Sequence, residues 1–340
     1  MSSTANEPVN ARRYLLASLG AAALAALLIA PIGAFGQQQK MKVIGYLSPV
    51  VPQNNTDFRL EGFRQGMRDF GYAEGKDYRL EIRWGEGKLE RMPALAAELV
   101  KMKVDVLVAF SSPAVLAARD ATRTIPIVMP VSSDPVGDGI VASLARPGGN
   151  ITGLSLMAPE LGAKRLQLLK EVLKKHQAVA VLWNPAYKGM NARFNEAKNA
   201  APAVGMNVRS LEVRDLREME AAFDAVTRDP PDGLLLLADP LTFSMRSRIV
   251  EFAREKNLPA IYETREFVDA GGLMSYGPNI VAMARRSAYY VDRILKGAKP
   301  GEMPIEQPAK IDLVVNLRTA RALGVTIPNS ILQTADQVID

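Results

Sequence analysis

The sequence predicts an α/β protein: two doubly wound parallel-sheet lobes joined by a hinge of several segments. Three observations carry this. Short continuous apolar runs alternate with helical patterns along most of the chain, as expected of parallel strands buried on both faces and linked by crossover helices. The alternating series runs once, breaks at the turn-rich passage Ala145–Gly153, and starts again. Finally, five of the apolar runs end alike, in a small polar or acidic residue followed by proline. Proline stops a strand and holds the residue before it extended. Ligands of open parallel sheets bind beyond the carboxyl ends of the strands, so the repeated ending marks a candidate binding edge.

The elements follow in order. Residues 1–36 read as an export signal: Arg12 and Arg13, an apolar stretch from Leu15 to Ile29, then Ala34-Phe35-Gly36 as a small-residue cleavage site. The paired arginines partly fit a twin-arginine signal, with Sec export the alternative. No cysteine follows the apolar stretch, which argues against a lipid anchor. The expected location is the periplasm. The first strand, Val43–Leu47, runs into Ser48-Pro49. A helix over 56–70 carries Phe58, Phe63, Met67 and Phe70 at helical spacing and stops at Gly71. Tyr78–Trp84 alternates as a strand, Met92–Met102 is a helix, and Val104–Phe110 is a strand running into Ser111-Ser112-Pro113. After a helix to Ala121, Ile125–Val131 leads to Ser132-Ser133-Asp134-Pro135. The glycines at 148, 149 and 153 do not form a phosphate-cradling loop, because no strand leads into them and no Lys-Ser/Thr follows.

The second series has strands at Val179–Trp183 into Asn184-Pro185, Asn207–Val213, Leu234–Ala238 into Asp239-Pro240, and Ala260–Tyr262, with helices between. A glycine-flanked strand at 271–277, a helix from Val281 to Lys296, prolines at 300, 304 and 308, and a last strand from Ile311 to Val315 then add to sheets already built. The chain is therefore expected to pass back and forth between lobes, with residues 41–156 and 272–300 in the first, 157–271 and 301–328 in the second, and 329–340 as a tail. Several crossing segments make a hinge, and a hinged pair of lobes makes a cleft that closes on a ligand.

Composition narrows the chemistry. With 340 residues, 48% apolar and 23% charged, the chain has room for about two globular domains. The net charge of +6 is spread among interleaved acids, which is not the clustered basic surface of a nucleic-acid binder. There is no cysteine and a single histidine, His176, so thiolate catalysis, disulfides and multi-histidine metal sites fall away. No nucleophile–base pair is visible. The chain is expected to be no enzyme and to need no cofactor.

Longer stretches carry a resemblance. Ile44-Gly45-Tyr46-Leu47-Ser48, Gly62-Phe63-Arg64-Gln65-Gly66, Val181-Leu182-Trp183-Asn184-Pro185, Gly271–Gly277 and above all the passage from Ile125 through Asp134-Pro135-Val136-Gly137 to Thr152-Gly153 resemble the solute-binding proteins of bacterial ABC importers. The group in question has a type I periplasmic-binding fold and includes members that bind aromatic amino acids. The resemblance implies non-covalent capture of a small molecule, an amino acid or similar carboxylate, and delivery to an inner-membrane ABC permease by a monomer. A ligand sensor of the same fold, serving a membrane receptor, is the alternative. Phe110 stands where the family more often has a small residue, and Asn279 where an acid is common near the rim.

The candidate ligand-binding residues sit at the strand ends and their neighbours. Ser48, Ser111 and Ser112 offer donors to a carboxylate beside helix starts. Asp239, Glu263 and Asp134 are the candidate partners of an ammonium group, in that order. Asn184 donates and accepts at once. Tyr262, Tyr276 and Phe110 are candidates to pack on an apolar or aromatic side chain. Each strand-end polar residue has a competing role as a helix cap.

Overall fold

A computed structural model describes residues 41–50, 57–156, 161–174, 178–186, 188–308 and 310–340. The predicted export signal at 1–36 and His176 lie outside these residues.

The first lobe is a five-stranded parallel sheet of β1 (Lys42–Ser48), β2 (Tyr78–Trp84), β3 (Val106–Ala109), β4 (Ile127–Met129) and β5 (Ile151–Gly153), in the order β2-β1-β3-β4-β5. The crossover helices are α1 (Phe58–Asp69), α2 (Met92–Lys101) and α3 (Ser112–Ala121). Alternate strand residues enter separate cores. Ile44, Tyr46, Val106, Val108 and Val128 pack on one face, and Leu47, Leu107, Ala109, Ile127 and Met129 on the other. Burial of both faces explains the unbroken apolar runs.

The second lobe holds α4 (Leu161–Val172), β6 (Ala178–Trp183), α5 (Lys188–Ala200), β7 (Asn207–Glu212), α6 (Leu216–Arg228), β8 (Gly233–Leu236), α7 (Pro240–Ser244), α8 (Arg246–Glu255), β9 (Ala260–Tyr262), α9 (Arg265–Asp269) and β10 (Met274–Pro278). Its sheet also takes β11 (Ile311–Asn316) and β12 (Gln337–Ile339), in the order β12-β11-β10-β9-β8-β6-β7, with only the β10–β11 pair antiparallel. Val179, Val181 and Leu235 face one core, and Ala180, Leu182, Leu234 and Leu236 the other.

Residues 272–300, assigned whole to the first lobe above, divide at Asn279. β10 pairs with β9 and β11 in the second sheet. The following helix, α10 (Ile280–Leu295), puts Ile280, Met283, Ala284, Ala288 and Val291 into a first-lobe core with Phe63 and Met67 of α1. Pro300–Glu306 stays on the first lobe, where Glu306 Nα donates to the Gly153 carbonyl and Ser155 Nα to the Glu306 carbonyl. The tail is not free: α12 (Asn329–Thr334) precedes β12, and β12 extends the second sheet beside β11; α11 (Leu317–Ala322) lies between β11 and α12. The chain thus crosses three times, between 156 and 161, at Asn279, and between 306 and 311. Asn279 is a hinge residue rather than a rim residue: its Oδ1 caps α10 by accepting from Ala282 Nα at 2.9 Å, and its Nδ2 donates to Asp312 Oδ2 at 3.1 Å. Among the described residues no helix is long and apolar enough to cross a membrane.

Candidate functional site

The ends of β1, β3 and β4 lie side by side in one sheet, and those of β8 and β9 in the other. Residues just beyond them line a cleft between the lobes. The first lobe contributes Val50, Phe110, Ser111, Ser112, Ser133 and Asp138; the second contributes Met190, Asp239, Phe243 and Thr264. Much of this wall is apolar, which is usual for a small-molecule site carrying a few placed polar groups.

Ser111 is the most strained of these residues. Its φ of 77° and ψ of 153° place it in a region that essentially only glycine occupies. Its backbone N–H is tied to the Val131 carbonyl at 3.0 Å, while its hydroxyl is buried without a hydrogen-bond partner. Next to it, Ser112 opens α3 and exchanges a hydrogen bond with Ser132 Oγ at 3.0 Å. The first-turn N–H groups of a helix have no intrahelical acceptors. Two further cleft oxygens are buried and unpartnered: Asp138 Oδ2 and Thr264 Oγ1. Asp138 Oδ1, by contrast, accepts from Gly189 Nα of the other lobe at 3.0 Å.

Asp239 lines the cleft and also caps α7: its Oδ1 accepts from Thr242 Nα at 2.8 Å and its Oδ2 from Asn184 Nδ2 at 2.7 Å. Burial raises its pKa above the ordinary carboxylate range, against the pull of these donors. Asn184 is 1% exposed and works from behind Asp239.

A second compartment adjoins the first across Ser133, Gly189 and Thr264. Asp134 and Glu263 line it, together with Arg165, Arg193 and Glu196. Glu263 is not a free anion. Arg165 Nη1 donates to its Oε1 at 2.7 Å, and Arg193 and Ala238 Nα to its Oε2. Burial pulls both guanidinium pKa values below their ordinary range, Arg193 with the added repulsion of Arg165. The carboxylate of Glu196 opposes both shifts. Asp134 has one oxygen engaged by Gly137 Nα at 2.8 Å.

Of the ten sequence candidates, Phe110, Ser111, Ser112 and Asp239 come together in the first compartment, and Asp134 and Glu263 in the second. The other four lie off both. Ser48 is fully buried and closes its own turn with Val50. Tyr262 turns into the core, stacked on Phe267 at 5.0 Å, because alternate residues of a strand face opposite ways. Tyr276 packs against the opposite core of that lobe, and Asn184 supports Asp239. Arg59, Asp138, Arg193, Phe243 and Thr264 were not foreseen, since they lie on helices and loops without a strand-end pattern.

The chain belongs to the ABC transporter substrate binding protein family, whose profile matches residues 47–339. Its task is that of the family, to hold a small-molecule solute for an ABC import system. A tyrosine-binding protein of Clostridioides difficile (strain R20291) is 26% identical over 286 residues, 84% of this chain and 81% of that protein. An ABC domain in complex with L-Trp from Streptococcus pneumoniae superposes with a TM-score of 0.81 at 25% identity, over 88% of this chain and 100% of that one. The ligand-free, open structure of a Clostridium difficile substrate binding protein with adhesive properties, also 25% identical and covering 88% of this chain and 99% of that one, gives 0.64. At equal identity, the better fit to the liganded structure agrees with the contacts between lobes seen here.

Proposed function

We propose that the chain captures a free amino acid with an aromatic side chain in the periplasm, after removal of residues 1–36, and presents it to an inner-membrane ABC permease. One observation carries this reading: three buried, unpartnered oxygens from both lobes, Ser111 Oγ, Asp138 Oδ2 and Thr264 Oγ1, meet in a cleft walled by Phe110 and Phe243. A buried polar atom without a partner is costly, and a ligand bearing both charges supplies the missing hydrogen bonds. The carboxylate is placed at Ser111, Ser112 and the first turn of α3, where donors and the helix dipole converge. The ammonium group is placed at Asp138, with Asp239 on the opposite wall. The ring lies against Phe110, Phe243, Val50 and Ile280. Likeness to proteins described as binding tyrosine and L-Trp supports the choice of side chain.

Thermal unfolding of residues 37–340 against the amino acids, with tyramine and N-acetyltyrosine as controls, tests the proposal. A ligand at one hundred times its Kd stabilises by about 2.7 kcal/mol. Tyrosine or tryptophan should raise the midpoint by several degrees, and each control, lacking one charge, should lose most of that shift. A shift for aliphatic amino acids alone would remove the aromatic assignment. Equal shifts for the controls would remove the zwitterion assignment.

A further inference from the structure

Arg59 lines the cleft from the first turn of α1. Asp57 holds its guanidinium in a fixed plane through two hydrogen bonds, Nε to Oδ1 at 3.0 Å and Nη2 to Oδ2 at 2.9 Å. Both side chains are largely buried, 12% and 2% exposed. Held this way, the guanidinium carbon lies 5.7 Å from the ring centre of Phe110 in its own lobe and 5.2 Å from that of Phe243 in the other. Phe243 also meets Arg246 of its own lobe at 4.8 Å and touches Phe267 edge-on. Capping of α1 does not account for this placement, because Asp57 caps by accepting from Arg59 Nα and Leu60 Nα, bonds that need no arginine side chain.

We propose that Arg59 and Phe243 form a cation–π staple between the lobes that sets how long the cleft stays closed on its ligand. The contact exists only when the lobes meet, so it favours the closed state over the open one, and a ligand's dwell time scales with that bias. Desolvation strengthens such a pair, and Asp57 keeps the guanidinium oriented without drawing it away from the rings. Phe243 also walls the cleft that holds the ligand, so the staple itself is read in protein without added ligand. It rests on the proposed function only for the choice of probe.

The test has two arms, both made simple by the absence of native cysteine. In the first, spin labels on Glu90→Cys in the first lobe and Glu251→Cys in the second, both exposed, report the distance between lobes in protein without added ligand. Arg59→Met and Phe243→Leu should each shift the population to longer distances, and Phe243→Tyr, which keeps the ring, should not. In the second arm, L-tyrosine dissociation is followed by stopped flow. Arg59→Met should release it about tenfold faster, Phe243→Leu at least as fast because it also strips a wall from the ligand, and the double variant no faster than Phe243→Leu. A wild-type distance distribution that Arg59→Met leaves unchanged overturns the staple, as does a double variant whose off-rate is the product of the two single effects. Failure to bind tyrosine at all would count against the proposed ligand, and the distance arm would still decide the staple.

Discussion

At the scale of single residues, Ser111 and Asp239 carry opposite kinds of cost. Ser111 holds a backbone conformation suited to glycine (φ 77°), and its unpartnered hydroxyl faces the cleft. Such a conformation costs roughly 1–3 kcal/mol. Ser111→Gly should therefore raise stability by about 1 kcal/mol in urea unfolding, after the added entropy of a glycine in the unfolded chain. The same change should weaken ligand binding by roughly 1 kcal/mol through the lost hydrogen bond. A variant that is both more stable and tighter-binding would remove Ser111 from the site. Asp239 is a buried carboxylate whose folded-state pKa is raised by desolvation. The folded protein then holds its proton at pH values where the unfolded chain has lost it, so this residue makes stability fall as pH rises through the window from the ordinary carboxylate pKa to the raised one. Asp239→Asn keeps a cap oxygen for Thr242 and removes that dependence. The stability difference, variant minus wild type, should grow in favour of the variant as pH rises from 4 to 7 in paired denaturation curves. Both residues were legible because each ends a strand. Asp138 was not, since it sits inside a loop, and Glu263 was misread because the arginines that neutralise it lie 98 and 70 residues away in sequence.

At the scale of elements, most strands and helices could be read from their periodicity, because each buried face writes its spacing directly into the sequence. The assignment of elements to lobes was harder. β10 and α10 are adjacent in sequence and lie in different lobes, and only pairing across the sheet and packing against α1 reveal this. The Gly62–Gly66 spacing is explained by the second of these contacts. Both glycines face α10, and a Cβ on Gly66 would lie 2.1 Å from the Arg285 carbonyl oxygen and 2.7 Å from the Ala288 Cβ. Only a residue without a side chain lets the two backbones approach this closely. Gly66→Ala should force the helices apart and cost about 3 kcal/mol, the upper end for overpacking because the obstacle is backbone. Urea unfolding monitored by far-UV circular dichroism would show it as a lowered midpoint. A variant as stable as wild type would mean that α10 can shift freely, and the α1–α10 seam would lose its place as the fixed wall of the first lobe.

For the whole molecule, the two-lobe plan was legible because the strand-end pattern occurs in both halves. The meeting of the lobes was not, because its contacts are made by residues with no sequence relation. One of those contacts gives a direct test of closure. A Cβ placed on Gly189 of the second lobe would lie 3.4 Å from the Asp134 Cβ of the first, at the short end of the separation that a disulfide spans. Gly189 has no positive φ, so a side chain there meets no backbone penalty. Asp134→Cys combined with Gly189→Cys should oxidise to a bond between lobes, and with no native cysteine in the chain nothing else competes for either thiol. If ligand enters only through the open form, the oxidised protein should take up tyrosine or tryptophan at least about a hundredfold more slowly than the reduced one, since entry would require a state that the bond forbids. Dithiothreitol should restore the rate of the reduced form, and Asp134→Cys alone should bind at nearly the wild-type rate. Equal rates in the oxidised and reduced protein would show that solute reaches the cleft without separation of the lobes, and capture would then depend on loop motion at the rim instead of on the three-segment hinge.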